Sequence, residues 1–357
     1  MAIKKIGWGF GLCNMKCDHC YNSSDMQDSI PRFTFDQLRD VADKVCPDVR
    51  DINFGTGEFF CNPNAVELAR YIASTYAHVD LSLTTNGYTV VKMSQPEVKH
   101  LFNDIDVSLD FPDRERHNAF RHHPLAWEWA IRALEILKEI RMQHTIVVCL
   151  TSRVTDEDLL SLLRLADSFE AFLRINWFRH TGRGSQELRV SAERAWAVIK
   201  LLADKATFCS LDSIFSGPLN VMANPCPAGR SSARIHQDMS VTAYPFLKGP
   251  QWSAGYITDP DMNLERIYQS PVFQQLRNRK VDFCETCEFV EACGGGCITR
   301  AALHNYDFNQ IDDYCPVYSG LMDSVEELYG RVTVQKQGNL VHDGYLCTTI
   351  LKPHKGV

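Results

Sequence analysis

Hydrophobic and polar positions follow two rhythms along roughly the first two hundred residues. Short runs rich in β-branched residues, at 6–12, 51–54, 80–85, 105–109, 145–150 and 172–178, have the length and composition of buried strands. Segments with helical spacing of apolar residues lie among them, at 34–45, 64–74, 96–102, 125–142, 156–168 and 192–206. In 125–142, Ala130, Ala133, Leu134, Leu137 and Ile140 share one stripe, while Glu128, Arg132, Glu135, Lys138 and Glu139 fall elsewhere. That is the pattern of a surface helix laid on a sheet. Six strand and helix pairs predict an α/β fold of parallel strands with right-handed crossovers, either an open barrel or a doubly wound sheet. Both gather function at the carboxyl ends of the strands. From about residue 208 the alternation stops and the text turns irregular, with Gly, Pro and Cys. The expected organisation is an α/β domain over 1–206, a loop-rich, metal-stapled domain over 207–325, and a tail over 326–357. In the tail, 331–334 and 340–346 could pair around Gly338 and Asn339.

Composition narrows the class. With 357 residues, 45% of them hydrophobic, the chain is neither disordered nor fibrous. A net charge of -7 gives no electrostatic reason to bind nucleic acid or an anionic membrane. No apolar run is long enough to span a bilayer, and the first residues show no export signal, so the expected address is the cytoplasm. Thiols stay reduced there, and the 14 cysteines therefore read as metal ligands before disulfides.

Their spacing is uneven. Cys13, Cys17 and Cys20 stand in CNMKCDHCYN, directly after the first expected strand. Three thiolates can hold three irons of a cubane and leave the fourth open to an outside ligand; zinc, with His19 as a fourth ligand, is the competing reading. The CxxxCxxC loop resembles that of the radical S-adenosylmethionine superfamily, and further phrases agree in order, each at the end of an expected strand. FGTGEFF is similar to the Gly-Gly-Glu element that binds the methionine amino group, at Thr56, Gly57 and Glu58, with Thr in place of the first glycine. TTNGY follows the third strand, and DVSLDFPDRERHNAFR follows the fourth, pointing to Ser108, Asp110, His117 and Arg121. RINWFRHTGRG closes the sixth.

The resemblance implies a partial (β/α)6 barrel in which the open iron chelates S-adenosylmethionine and drives its reductive cleavage. The product is a 5′-deoxyadenosyl radical that takes a hydrogen atom from a C–H bond. It further implies a low-potential electron donor such as flavodoxin or ferredoxin. Cofactor contacts are expected from His19 against the adenine, from Thr56, Gly57 and Glu58 around the ammonium group, and from Ser108 and Arg121.

A second group of cysteines, CETCEFVEACGGGC with Cys315 beyond it, has zinc-ribbon spacing by itself. Beside the first motif it resembles the SPASM or twitch extension, which carries auxiliary 4Fe-4S clusters. That likeness assigns Cys284, Cys287, Cys293 and Cys315 to one cluster and Cys297 to another. The second set departs from the pattern. CPAGRSSARIHQDMSVTAYPFL supplies Cys226, but Met239 or Ser240 stands at the glycine and Tyr244 at the next cysteine. Two clusters are expected in all. A third is either absent or completed by Cys209, the Tyr244 phenolate or the substrate.

Cys149 on the fifth strand is a candidate hydrogen-atom donor, against a reading as a small core thiol, and Cys46, Cys61 and Cys347 read as core thiols. Only 12 residues precede Cys13, leaving no room for a leader-binding module there. The expected substrate is therefore a small polar metabolite, such as a sugar, aminocyclitol or nucleoside, that is oxidised or epimerised in natural-product biosynthesis. Modification of a ribosomally made peptide or protein side chain is the alternative, and a non-catalytic metal-stapled scaffold is a third.

Overall fold

In a computed structural model, residues 3–26, 31–221, 226–305, 307–335 and 348–356 are described. The six expected strands form β1 (Lys5–Gly9), β2 (Asp51–Thr56), β3 (Asp80–Thr85), β4 (Asp104–Ser108), β5 (His144–Leu150) and β6 (Phe172–Trp177). They lie side by side in chain order, every pair parallel. Sequential order is that of a barrel wall; a doubly wound sheet reverses direction at a switch point.

Helices cover the outer face. Phe35–Val45 and Asp156–Phe169 each begin at a reciprocal cap, Thr34 with Gln37 and Thr155 with Asp158. Ala126–Glu139 buries Ala126, Ala130, Ala133, Leu134, Ile136 and Leu137, the expected stripe widened by one turn. Each large side chain fully buried in this way contributes about 1.5–3 kcal/mol. One further helix, Arg114–Arg121, has a very polar sequence, yet it buries His117, Phe120 and Arg121.

The strands after β6 extend both edges of the same sheet. β8 (Ser232–Ile235) pairs parallel with the free side of β1, and β9 (Ser240–Thr242) and β10 (Ser253–Tyr256) continue outward antiparallel. At the other edge, β11 (Thr348–Pro353) runs antiparallel between β6 and β7 (Ala206–Ser210). The cysteine-rich segment consists of short turns and helices such as Val290–Cys293 and Ile298–Asn305. The hairpin expected at 331–346 falls mostly, and Cys347 wholly, outside the described residues. Among the described residues, no helix is long and apolar enough to cross a membrane.

Candidate active site

A cavity opens at the carboxyl ends of the barrel strands, and alternate residues of those strands line it: Asn53 and Gly55, Val147 and Cys149, Arg174 and Asn176. Successive side chains in a strand point to opposite faces, so every second residue reaches the lumen. Cys13, Cys17 and Cys20 stand at the same cavity. Their loop is tied down from two sides. Cys13 donates its N–H to Asp25 O at 3.0 Å, and Arg183 in the loop after β6 donates to Cys20 O at 2.9 Å. Gly182, at φ +60°, passes so close that a Cβ would meet Cys20 O at 2.4 Å. The phrase RHTGRG thus clamps the cysteine loop.

Burial pushes the Cys17 thiol up to about 12 and Cys13 well above the ordinary range. Thiols in such a place are neutral unless a metal draws off their protons, and three of them at one cavity fit the three-cysteine cubane. His19 lies flat on Phe120, 4.7 Å between ring centres and 4° between planes, and burial pushes its pKa down to about 4. It is a neutral ring at the cavity wall.

Glu58 is buried beside the cysteines, and the third expected strand end holds it. Thr85 Oγ1 donates to its carboxylate at 2.5 Å, Asn86 N–H at 2.8 Å and Thr89 N–H at 3.0 Å, with the Thr89 hydroxyl donating as well. Burial raises its pKa and these donors oppose the rise, so the carboxylate stands ready for a cationic partner. Gly57 takes φ +80°, and a Cβ there would meet Leu12 O at 2.3 Å. Thr56 turns its hydroxyl to Tyr21 Oη at 2.8 Å and to Arg234, so its side chain works as a bracket between chain segments.

Ser108 and Arg121 line the cavity. Arg121 pairs with Asp110 at 2.7 Å, both nearly sealed from water. Burial alone would raise Asp110, but Arg121 and its other neighbours hold it near 2. The second Asp110 oxygen accepts from Cys149 N–H at 3.0 Å, and His117 Nδ1 accepts from Asp110 N–H at 3.2 Å. His117 is therefore a positioning group behind the wall. Cys149 itself is on the cavity wall and half-buried, and burial pushes its pKa up, which keeps a neutral S–H there.

Arg174, Arg179 and Arg234 also line the cavity; they lie within RINWFRHTGRG and CPAGRSSARIHQDMSVTAYPFL, but none was singled out as a site residue. Arg174 forms a sealed ion pair with Asp106 across the barrel. Later segments complete the wall with Tyr244, Pro245 and Phe246.

The second group of cysteines divides. Cys284, Cys287, Cys293 and Cys315 line one cavity together with Gly295 and Asp312. Gly294, Gly295 and Gly296 all have positive φ, from 63° to 76°, and turn the chain sharply between Cys293 and Cys297. Arg279 pins that turn through Gly295 O at 2.8 Å and Gln310 O at 3.0 Å. Four thiols around one cavity fit a 4Fe-4S cubane. Cys297 faces elsewhere: its sulfur accepts from Arg179 Nη2 at 3.2 Å and shares a hydrogen bond with Thr299 Oγ1 at 2.9 Å. Cys226 is buried, and Cys209 sits in a separate apolar cluster with Ile350 and Phe172.

Residues 10–166 match the family model described as the radical SAM superfamily. A mycofactocin maturase, MftC of Mycolicibacterium smegmatis, is 30% identical over 324 residues, covering 85% of this chain and 80% of that protein. The chain belongs to the radical SAM superfamily. Among solved structures, that of anSMEcpe with bound AdoMet superposes with a TM-score of 0.67 at 17% identity, covering 90% of this chain and 97% of that one. Streptococcus suis SuiB bound to precursor peptide SuiA superposes at 0.66 with 14% identity, covering 88% and 76%. The protein is thus a radical SAM enzyme of the SPASM type, using S-adenosylmethionine and 4Fe-4S clusters.

Proposed function

We propose that this enzyme modifies a side chain of a ribosomally made peptide. The observation that carries the reading is the similarity to a maturase over 324 residues, which spans the barrel and the cysteine-rich segment alike. The solved SuiB complex holds a precursor peptide on the same fold. The reading departs from the small polar metabolite expected from the sequence, because that expectation rested on the few residues before Cys13. Those residues say nothing about a leader bound elsewhere or by a partner. The wall of Trp177, Phe178, Tyr244 and Phe246 suits an apolar or aromatic side chain.

Cys13, Cys17 and Cys20 would hold the radical cluster, and Glu58 would accept from the ammonium group of S-adenosylmethionine, a charge-assisted bond. His19, on its Phe120 shelf, offers a flat neutral face for the adenine, and Ser108 and Arg121, lining the same cavity, would be further contacts to the cofactor. A cluster held there would supply the electron, taken from a low-potential donor such as flavodoxin or ferredoxin, for reductive cleavage of S-adenosylmethionine to the 5′-deoxyadenosyl radical that abstracts hydrogen. The enclosing walls keep water and wrong C–H bonds from the reacting atoms. Cys149, on the same cavity wall, would be the donor of a hydrogen atom to a substrate radical.

The test uses anaerobic, reconstituted protein with S-adenosylmethionine, dithionite and candidate precursor peptides from short reading frames beside the gene, synthesised with deuterated side chains. Deuterium in 5′-deoxyadenosine, together with a mass change in the peptide, is the expected result. Deuterium transfer from a sugar or nucleoside, with none from the peptide, would overturn the reading.

A further inference from the structure

The second auxiliary cluster asks for Cys226, Cys297 and a ligand at residue 244, and the residues present do not fit it. Tyr244 occupies the position of the missing cysteine and is 2% exposed. The loop that leads to it is otherwise intact: Met239 takes φ +64°, the left-handed backbone that a glycine would adopt without strain. The scaffold has kept its path while the ligand has changed.

Arg179 fills the space between the two would-be ligands. Its Nη2 donates to Cys297 Sγ at 3.2 Å, and its guanidinium carbon lies 5.8 Å from the centre of the Tyr244 ring and 5.0 Å from that of Phe246. It is also fixed from behind, Nε donating to Thr299 Oγ1 at 2.8 Å and Nη1 to Trp177 O at 2.6 Å. Cys297 is fixed in turn, its N–H donating to Asp312 Oδ2 at 2.5 Å. Asp312 also takes Arg300, whose Nε donates at 2.6 Å. Of these groups Phe246 is partly buried and the others are buried. A planar fork with its donors engaged is rigid, and moving it away would take from the Trp177 carbonyl and the Thr299 hydroxyl the charged donors they accept from.

We propose that this enzyme has no second auxiliary cluster, and that the buried Arg179 guanidinium, held between Cys297 and Tyr244, takes its place as part of the cavity wall. The protein then carries one cluster on Cys13, Cys17 and Cys20 and one on Cys284, Cys287, Cys293 and Cys315. The wall beside the substrate is a guanidinium framed by two aromatic rings, where a cluster would otherwise stand.

Iron and acid-labile sulfide on the fully reconstituted, natural-sequence protein test this without any substrate, so the outcome is independent of the peptide reading. About 8 irons per chain are expected for two cubanes, with Mössbauer spectra that fit two cluster environments; about 12 irons would overturn the proposal. The variants C226A and C297A should keep the full iron content, whereas C293A should lose up to about four irons. Loss of a whole cluster's iron from C226A or C297A, in protein whose circular dichroism is unchanged, would also overturn it. If C297A does not fold, the iron count of the natural sequence still decides.

Discussion

At the scale of single residues, the amino-group element shows how a substitution is absorbed. Thr56 stands where the resembling families have glycine, and its Cβ is tolerated because its neighbour across β1 and β2 is Gly9, where a Cβ would come within 2.6 Å of Thr56 Cβ. Gly57 has no such freedom. An alanine there would bear φ +80° and press on Leu12 O, the carbonyl next to Cys13. Backbone strain of this kind costs about 1–3 kcal/mol, and relief can come only by moving the cysteine loop. G57A should fold yet lose most of the iron of its radical cluster, read by iron assay and by the electron paramagnetic resonance of reduced protein. Full iron and undiminished binding of S-adenosylmethionine would show that the contact is not needed. Cysteine spacing singled out Cys13, Cys17 and Cys20 and the family resemblance singled out Glu58, and the structure brings all four to one cavity. Arg174, Arg179 and Arg234 lie within RINWFRHTGRG and CPAGRSSARIHQDMSVTAYPFL, but no signal singled them out. A lumen-facing arginine in a strand, such as Arg174 or Arg234, looks like any alternating polar residue until the wall curves.

At the scale of elements, the six barrel strands were legible because each is a short run with apolar, often β-branched residues at alternate positions, such as Ile52 and Phe54 or Ile105 and Val107. The short edge strands β7 to β11 were not, since three to six residues in irregular text carry too little periodicity. The helix Arg114–Arg121 was missed for a related reason: RERHNAFR has only two apolar positions, and its inner face is built on a charge pair. Arg121 on that helix and Asp110 just after β4 join the two elements. Removing one partner of a buried pair costs about 3–5 kcal/mol, so R121M should lose stability of that order in denaturant unfolding, and the double variant D110N/R121M should recover part of it. The pH dependence carries the sign. In the natural protein Asp110 titrates near 2, below its ordinary 3.8, so the pair's contribution is complete above about pH 4 and lost only as the pH falls through 2. In R121M the isolated carboxyl is raised by burial, and the folded state then binds the extra proton. The variant should therefore gain stability relative to the natural protein as the pH drops from 8 to 5. A stability difference that stays flat over this range would mean that Asp110 finds another cation.

For the whole molecule, one sheet carries the cavity, and segments distant in sequence close it: the Cys13 to Cys20 loop, the loop after β6, and the turn from β9 through Phe246. The barrel rests on a continuous apolar core that includes Trp8, Phe54, Leu83, Val107, Val148 and Ile175. The cysteine-rich segment is built differently. Between residues 281 and 315 its elements are three to eight residues long, three successive glycines turn it, and its buried contacts centre on Arg300 with Asp212 and Asp312. Helices this short are not stable by themselves. Ile298, Ala302, Phe308 and Tyr314 tie it to the same apolar core, and metal bound by the four thiols would add folding free energy directly. Anaerobic chelation of the iron should therefore raise amide hydrogen exchange across 281–305 and 307–321, while β2 to β5 keep their protection. Mass spectrometry of peptides from both regions measures the two together. If exchange rises equally in the barrel strands, the cysteine-rich segment and the barrel unfold as one unit, and the cluster's ordering effect reaches the active-site sheet itself.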